Sequence, residues 1–261
     1  MHLQVLSSGS GGNATLVRGG DTAVLVDAGL PLKELDERFA AARFSPTALD
    51  HVLVTHGHLD HARSAGALAK RERALLHTAA ALQSNASIRR CKNLNTLTVG
   101  GTQALPGRAC DDGLRATSVP LPHDASPTVA FKLEHDGRCA VILTDMGMPR
   151  ADVACALRGA HVLVLEFNHD EQMLQGGPYT AALKRRILGN AGHLSNEQAA
   201  VMLEQLAGPE LHTLVLAHLS KHNNTRELAF ACATAALARR GLGAVRVLIA
   251  EQDEVGENLA V

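Results

Sequence analysis

Short apolar runs rich in β-branched residues alternate along the chain with longer stretches that carry apolar residues at helical spacing. The runs at 22–26, 51–54 and 162–165 predict buried strands, because they are short and are bounded by turn-forming residues. Residues 32–42 and 225–239 instead predict helices. Polar residues follow many of the apolar runs directly, so several predicted strand ends carry carboxylate or imidazole side chains.

The same patterns predict the remaining elements. Further strands are predicted over residues 3–6, 14–17, 74–77, 114–119, 129–134, 138–143, 211–216 and 244–250, and further helices over residues 62–71, 79–86, 149–157 and 178–188. Ser195 is expected to begin another helix, since Ser195 and Gln198 fit the capping-box pattern. Asn224 is the predicted cap of the helix at 225–239. Residues 89–113 show no periodicity and are expected to be irregular.

The densest group of polar residues follows the strand at 51–54. His56, His58, Asp60 and His61 place three imidazoles and one carboxylate within six positions. His56 and His58 are two apart, so an extended backbone points both the same way and both can bind one ion. Asp60 and His61 lie beyond the turn at Gly57 and can face a second ion. Neutral imidazole and carboxylate suit Zn, Mn or Fe, so the cluster predicts a metal site rather than a loop of surface histidines.

Other candidate side chains also follow predicted strands or begin a helix. His123 is placed to be a third ligand of the first ion, Asp145 to bridge two ions, and His218 to complete the second ion site. His169 belongs to a polar cluster after the strand at 162–165. His193 precedes the helix that begins at Ser195, and a helix start beside a histidine can bind an anion.

Three further features have two interpretations each. Asp27 follows the strand at 22–26 and is either a hydrogen-bond partner of a metal-binding histidine or a turn residue. The Gly/Ser-rich segment 7–13 either approaches an anion with its backbone or is a plain connection. The basic triplet 184–186 is slightly more typical of a solvated helix face than of a phosphate-steering patch.

Composition narrows the classes of protein. The 261 residues are 46% hydrophobic, which is enough for one large domain or two small ones. A net charge of −1 excludes a protein that binds nucleic acid through its overall charge, and the absence of Trp argues against a broad base-stacking platform. No signal peptide or long apolar span is visible, and five scattered cysteines include no C-x-x-C pair. We therefore expect a cytoplasmic protein with reduced thiols and no membrane association.

The order of these candidates resembles the metallo-β-lactamase superfamily, whose signature H-x-H-x-D-H precedes separate His, Asp and His motifs. The resemblance implies an α/β fold, a four-layer αββα sandwich, formed by residues 1–261 as a single domain. It also implies two divalent metal ions, Zn or Mn. The implied ligands are His56, His58 and His123 for one ion, Asp60, His61 and His218 for the other, and Asp145 as the bridge.

Within the superfamily, the segments 6–14, 166–170, 184–189, 192–196 and 217–220 are similar to the YycJ (WalJ) group of exonucleases, relatives of RNase J and RNase Z. Gly57 and Met146 depart from that group's usual residues, but neither is a ligand position. Only about 70 residues separate Asp145 from His218, so no β-CASP insertion is expected.

The group resemblance implies a dinuclear metal-dependent phosphodiesterase, a 5′-to-3′ exonuclease on single-stranded DNA that uses a metal-activated hydroxide as nucleophile. Asp60 would orient the water or accept its proton. His193, Ser195 and Asn196 would hold a terminal phosphate, and His193 would also be a catalytic residue. His169 would protonate the leaving oxygen or buttress the site, with His222 as its alternative.

Other functions share the predicted metal site. The main alternative is a small-molecule hydrolase that cleaves a cyclic phosphodiester or a glyoxalase II-like thioester. A non-enzymatic metal-binding scaffold is disfavoured, because no ligand position is missing. The preference for DNA over RNA comes from the group resemblance alone, and the sequence indicates no oligomeric state.

Overall fold

The structure is a computed structural model that describes residues 1–107 and 113–261. Within those residues the strands are β1 (His2–Ser7), β2 (Ala14–Gly19), β3 (Thr22–Val26), β4 (His51–Leu53), β5 (Leu75–Ala79), β6 (Leu94–Leu97), β7 (Thr102–Leu105), β8 (Leu114–Leu121), β9 (Thr128–His135), β10 (Arg138–Leu143), β11 (Val162–Glu166), β12 (Thr213–Ala217), β13 (Arg246–Ile249) and β14 (Leu259–Ala260). The α-helices are α1 (Leu32–Ala41), α2 (Leu59–Ala62), α3 (Ala65–Glu72), α4 (Ala151–Leu157), α5 (Glu171–Gly176), α6 (Ala181–Ile187), α7 (Asn196–Leu206) and α8 (Arg226–Arg239).

The strands form two mixed sheets of seven strands each. The first has the order β14-β1-β2-β3-β4-β5-β6, in which β1, β2 and β3 pair antiparallel and β3 to β6 pair parallel. The second has the order β13-β12-β11-β10-β9-β8-β7, in which β10 to β13 are parallel and β7 pairs antiparallel with β8. Mixed sheets with helices between their strands agree with the predicted α/β class.

The chain divides into two compact units, each with its own apolar core. The first unit comprises residues 1–118, 133–138 and 250–261, and its core includes Leu25, Phe39 and Leu68 from a strand and two helices. The second unit comprises residues 119–132 and 139–249. Its core includes Leu163 and Leu203, from β11 and α7.

Strand burial explains why polar side chains collect at strand ends. All five residues of β3, β11 and β12 are buried, as expected for strands of a sheet covered on both faces. Such strands tolerate polar side chains only where they end. Asp27 directly follows β3, Glu166 is the last residue of β11, and His218 directly follows β12.

Most predicted strands and helices are confirmed, and the errors concern short or exposed elements. Residues 79–86 contain only a 3₁₀ turn at Ala80–Leu82, and residues 89–113, predicted to be irregular, contain β6 and β7. The helix expected over 62–71 is two helices, because α2 already begins at Leu59. α5 and β14 were not predicted.

The predicted cap at Asn224 is wrong by one residue. The hydroxyl of Thr225 accepts the backbone N–H of Leu228 and begins α8, whereas the Asn224 side chain pairs with Asn196. The capping box of α7 is confirmed. Within the described residues no disulfide involves Cys91, Cys139, Cys155 or Cys232, and Cys110 lies outside the described residues. Over residues 1–107 and 113–261, no helix combines the length and the apolar character needed to cross a membrane.

Candidate metal centre

In the first unit, β4 leads into the loop and short helix that carry the H-x-H-x-D-H motif. His58 precedes α2 in an extended conformation, and Asp60 and His61 lie in that helix. His56 and His61 are fully buried. The sequence placed Asp60 and His61 before the helix, whereas the structure places them within it.

His56 and His58 are arranged as a chelating pair. Their Nε2 and Nδ1 atoms, respectively, lie 3.1 Å apart. Two nitrogens that bind one tetrahedral Zn at 2.0–2.1 Å are separated by about 3.3 Å. His56 Nδ1 lies 3.1 Å from the hydroxyl of Thr55, which itself donates to Asp27. The Thr55 oxygen can therefore accept the His56 Nδ1–H, which leaves His56 Nε2 free of a proton for an ion.

Asp27 orients His61 from the end of β3. Its Oδ2 accepts the Nδ1–H of His61 at 2.7 Å, and its Oδ1 accepts the backbone N–H of Thr55 at 2.8 Å. Burial raises the pKa of Asp27, whereas the charge and hydrogen bonds of His61 and the bonds from Thr55 lower it. With Nδ1 donating, His61 carries its lone pair on Nε2, which lies 3.5 Å from Asp60 Oδ2. Asp27 thus has the contact expected of a partner to a metal-binding histidine.

In the second unit, four side chains converge at the ends of β10, β11 and β12. Asp145, Glu166, His193 and His218 each offer a ligand atom within 4.8 Å of the others'. Asp145 Oδ1 lies 3.7 Å from His193 Nδ1 and 3.7 Å from His218 Nε2. Asp145 and His218 both adopt left-handed backbone conformations, with φ of +63° and +56°. Such strained non-glycine residues are concentrated at functional sites.

Glu166 is the centre of this cluster. It is fully buried, and its Oε2 accepts the backbone N–H of Met146 at 3.0 Å. Its Oε1 lies 2.7 Å from His193 Nδ1 and 3.4 Å from His218 Nδ1. Burial alone would raise the pKa of Glu166, but the charge of His193 and the hydrogen bonds from His193 and His218 lower it to about 2. Because both oxygens are engaged, Glu166 is better suited to orienting the two histidines than to binding an ion.

His193 differs from the other histidines of the cluster in its exposure and charge. Its side chain is 20% exposed. Burial lowers its pKa, but the Glu166 carboxylate, the hydrogen bond to it and the charge of Asp145 outweigh burial, so the pKa of His193 is raised. His193 can therefore present a cation to an anionic group that reaches the cluster.

His123 is held by the loop that precedes α7. Its Nδ1–H donates to the carbonyl oxygen of Gly192 at 3.0 Å. Its Nε2 lies 3.4 Å from Asp124 Oδ1 and 3.9 Å from Asp145 Oδ1. The proton on Nδ1 leaves Nε2 as the ligand atom, on the side of the ring that faces the carboxylates.

His169 lies deeper in the second unit. It is buried, and its Nδ1 lies 3.3 Å from Asn168 Oδ1. Burial lowers the pKa of His169 to about 4, so the neutral imidazole predominates at neutral pH. Within the described residues its Nε2 has no hydrogen-bond partner.

Ser195 and Asn196 are engaged inside the protein. Ser195 Oγ accepts the backbone N–H of Gln198 and donates to Glu197 Oε2 at 3.0 Å. The Asn196 side chain exchanges two hydrogen bonds of 2.9 Å with Asn224. Both side chains are buried. These contacts favour a structural role for the two side chains, and their binding of a phosphate stays a prediction.

Glu166 was not singled out from the sequence as a member of this cluster. Glu166 was placed in a polar cluster without a role of its own, although a carboxylate that ends a fully apolar strand must find partners once it is buried. That burial was the available signal. The identity of its partners, His193 and His218, depends on elements that lie 27 and 52 positions further along the chain.

The chain is similar to known proteins over nearly its whole length. Residues 8–86 match the family model of the Metallo-beta-lactamase superfamily. The exodeoxyribonuclease YycJ of Bacillus anthracis is 32% identical over 93% of this chain and 91% of its own. The exodeoxyribonuclease WalJ of Streptococcus pneumoniae is 31% identical over 92% of this chain and 89% of its own.

A solved structure has a similar fold. The metallo-β-lactamase fold protein YhfI of Bacillus subtilis is 17% identical, covers 99% of each chain and superimposes with a TM-score of 0.70. The predicted fold class, the α/β sandwich of the metallo-β-lactamase fold, is confirmed. The His and Asp clusters are compatible with divalent metals, and the fold is that of a superfamily of metal-dependent hydrolases. The chain belongs to the metallo-β-lactamase superfamily and, within it, to the family of the exodeoxyribonucleases YycJ and WalJ.

Proposed function

We propose that this chain is a dinuclear metal-dependent exonuclease that removes nucleotides from the 5′ end of single-stranded DNA. The observation that carries the proposal is similarity to two exodeoxyribonucleases over 92% and 93% of a chain that has every ligand position of the superfamily signature. A DNA substrate is consistent with the names of these relatives. The 5′-to-3′ direction and the single-stranded substrate are part of the proposal.

The proposed ligands fall into two sets that share a bridge. His56, His58 and His123 would bind one ion, Asp60, His61 and His218 the other, and Asp145 would bridge them. The orientation of three histidines supports these sets, because His56, His61 and His123 each have an acceptor at Nδ1 that leaves Nε2 for an ion. His58 offers Nδ1 instead. His218 Nδ1 lies 3.4 Å from Glu166 Oε1 and 3.3 Å from Asn168 Nδ2. Imidazole and carboxylate donors suit Zn or Mn.

Bound ions would lower the pKa of a water molecule and neutralise charge on the phosphodiester. The chain's own side chains would supply orientation and proton transfer. Asp60, whose side chain is 22% exposed, would orient the attacking water or accept its proton. His193, whose pKa Glu166 raises, would bind the terminal phosphate and is the better-placed proton donor.

His169, Ser195 and Asn196 would support these groups. The low pKa of His169 favours its neutral form, so we assign proton donation to His193 before His169. Ser195 and Asn196 hold the start of α7, two and three residues after His193. Their contribution to phosphate binding would then be to hold the His193 segment in position. Direct contact between their side chains and the phosphate is also part of the proposal.

A time course on end-labelled DNA tests the proposal. The Mn-loaded protein is incubated with single-stranded DNA with and without a 5′-phosphate, and Asp60→Ala is compared with Asp152→Ala, which alters an exposed carboxylate paired with Arg150. We expect mononucleotides from the 5′ end, faster with the phosphate, and lost only in Asp60→Ala. His193→Ala should reduce the preference for phosphorylated ends.

Two outcomes would contradict parts of the proposal. Release from the 3′ end, or equal loss of activity on both kinds of end in His193→Ala, would exclude the assigned direction or the phosphate role of His193. Intact DNA combined with hydrolysis of bis(p-nitrophenyl) phosphate or of a glutathione thioester would assign the same metal site to a small-molecule substrate.

A further inference from the structure

In the Gly/Ser-rich connection between β1 and β2, the backbone N–H groups of three glycines already donate hydrogen bonds within the protein. The backbone N–H of Gly9 donates to Asn13 Oδ1 at 2.9 Å, that of Gly11 to Gln252 Oε1 at 2.8 Å, and that of Gly12 to the carbonyl oxygen of Gly9 at 3.1 Å. Backbone N–H groups that already donate to protein acceptors cannot also bind an anion. The connection is therefore better explained by what it carries, which is the buried side chain of Asn13.

Asn13 contacts the backbone of Asp60 and the side chain of His61. Its backbone N–H donates to the carbonyl oxygen of Asp60 at 2.7 Å, and its own carbonyl oxygen accepts the N–H of Gly29 at 3.0 Å. Its side-chain Nδ2 lies 3.3 Å from the same Asp60 oxygen and 3.0 Å from His61 Nε2. One residue thus fixes the backbone before His61 and contacts the ring atom that is the proposed ligand.

The space around this contact leaves no room for Asp60 to shift toward Gly29. A Cβ atom added at Gly29 would lie 1.7 Å from the carbonyl oxygen of Asp60. Asp60 is therefore packed directly against backbone on one side and bonded to Asn13. The first turn of α2 is held in position by main-chain contacts, and the Asn13 side chain is the polar group that reaches past them to the His61 ring.

The side-chain amide nitrogen of Asn13 is surrounded by more hydrogen-bond acceptors than it has hydrogens to donate. Nδ2 carries two hydrogens, and three acceptors surround it: Gly9 O at 3.1 Å, Asp60 O at 3.3 Å and His61 Nε2 at 3.0 Å. His61 Nε2 can only accept here, because Nδ1 already donates to Asp27. If the bond to His61 is lost, the two hydrogens still have Gly9 O and Asp60 O, so no buried donor is left unsatisfied.

We propose that Asn13 is a positioning residue for the Asp60–His61 ligand pair. In the metal-free protein its amide holds His61 Nε2 in place, and on metal binding it releases that nitrogen while it keeps its bonds to Gly9 and Asp60. The inference rests on the proposed ligand set, since it requires His61 Nε2 to bind an ion. It assigns the Gly/Ser-rich connection a role in metal affinity rather than in binding phosphate.

Metal affinity, measured without any turnover, tests the inference. Zn is titrated into metal-free protein in competition with a chromophoric chelator, for wild type, Asn13→Ala and Asn93→Ala. Asn93 is an exposed asparagine of the same unit whose amide donates to Ala74 O, so it controls for loss of an asparagine side chain. We expect wild type and Asn93→Ala to bind two ions, and Asn13→Ala to bind one of the two about 10- to 100-fold more weakly.

The possible outcomes separate the two proposals. Two ions bound with unchanged affinity in Asn13→Ala would overturn the role of Asn13 and leave the dinuclear centre standing. Fewer than two ions bound by wild type would overturn the dinuclear centre and the inference with it.

A measurement on the wild type covers the case in which Asn13→Ala does not fold. In metal-free ¹⁵N-labelled protein, we expect a scalar coupling between Asn13 Nδ2 and His61 Nε2 across their hydrogen bond. Zn should abolish this coupling while both Asn13 amide hydrogens stay protected from exchange. Absence of the coupling before Zn is added, or its persistence afterwards, would exclude the proposed release.

Discussion

At the scale of single residues, each unit has a buried carboxylate at a strand end that orients a histidine. Asp27 accepts the Nδ1–H of His61 in the first unit, and Glu166 accepts the Nδ1–H of His193 in the second. In both cases the contact keeps a proton on Nδ1 of the ring. The sequence predicted the histidines, and it offered Asp27 only as one of two interpretations. Because tautomer and orientation depend on the second partner, they could not be read from the ligand motif alone.

Glu166→Gln should lower the pKa of His193, because the substitution removes the negative charge that stabilises the imidazolium. The sign follows from the wild type, in which Glu166 raises that pKa against the effect of burial. The measurement is an NMR titration of the His193 ring in metal-free protein. Glu204→Gln, at a half-buried carboxylate paired with Arg239, is the control. An unchanged His193 pKa in Glu166→Gln would show that the short contact does not control the charge of His193.

At the scale of elements, prediction succeeded for buried strands and failed for three strands at a sheet edge, β6, β7 and β14. β3, β4 and β11 are wholly buried, so their apolar runs stand out in the sequence. β6 and β7 each bury a single leucine, Leu97 and Leu105, and their remaining positions are exposed or half-buried. A strand with one buried side chain has no period-2 signal. Such a strand is stabilised by contacts with neighbouring strands, and the local sequence does not contain that information.

A chain of hydrogen bonds through two buried histidines links these edge strands to β4 and β5. His51 Nε2 donates to the carbonyl oxygen of Pro106 at 3.0 Å, so His51 Nδ1 must accept from His77 Nε2 at 2.9 Å. His77 Nδ1 then accepts from Gln103 Nε2 at 2.9 Å and from Asn95 Nδ2 at 3.1 Å. These side chains connect β4 to β7 through two neutral imidazoles. Burial and the charge of His51 lower the pKa of His77 to about 3, and burial lowers that of His51.

Acid should therefore destabilise the first unit through His77. The unfolded histidine has a pKa of about 6.5, so between pH 6.5 and pH 3 the unfolded chain binds a proton that the folded protein excludes. Stability is lost as the pH falls below 6.5, by up to about 1.4 kcal/mol per pH unit. In urea denaturation of metal-free protein, the free energy of unfolding of wild type relative to His77→Gln should fall by about 2 kcal/mol between pH 7.5 and pH 5.0.

The comparison with His77→Gln isolates this group, because ligand histidines titrate alike in both proteins. His212→Gln, at an exposed imidazole of the second unit, controls for the loss of a ring. A constant difference between wild type and His77→Gln across this pH range would mean that His77 accepts a proton in the folded protein.

At the scale of the whole molecule, the spacing of seven ligand candidates and the group-specific segments carried the prediction of superfamily and fold. Spacing identified them because metal chemistry restricts residue type at each position. What spacing could not supply is the packing that orders the site: the close approach of Gly29 to Asp60, the burial of Glu166 and the closure of the first sheet by β14. These depend on contacts between distant segments, such as Leu3 with Leu259.

Metal removal should lower the thermal stability of the whole chain if the proposed ligand sets bind ions. An ion that binds only the folded protein stabilises it by about 4 kcal/mol at a free concentration 1,000 times its dissociation constant. For a chain of this size, 1 kcal/mol corresponds to a Tm change of roughly 2–4 °C. We therefore expect Zn to raise the Tm of metal-free wild type by on the order of 10 °C or more, and EDTA to reverse the rise.

Asp60→Ala should retain only part of that rise, because it removes a ligand of one proposed ion, whereas Asp152→Ala should retain all of it. Differential scanning calorimetry with and without Zn measures both. A Tm that does not respond to Zn or EDTA, in protein that still cleaves DNA, would separate the activity from the proposed ligands. An equal rise in Asp60→Ala and wild type would instead exclude Asp60 as a ligand, and would restrict its role to the attacking water.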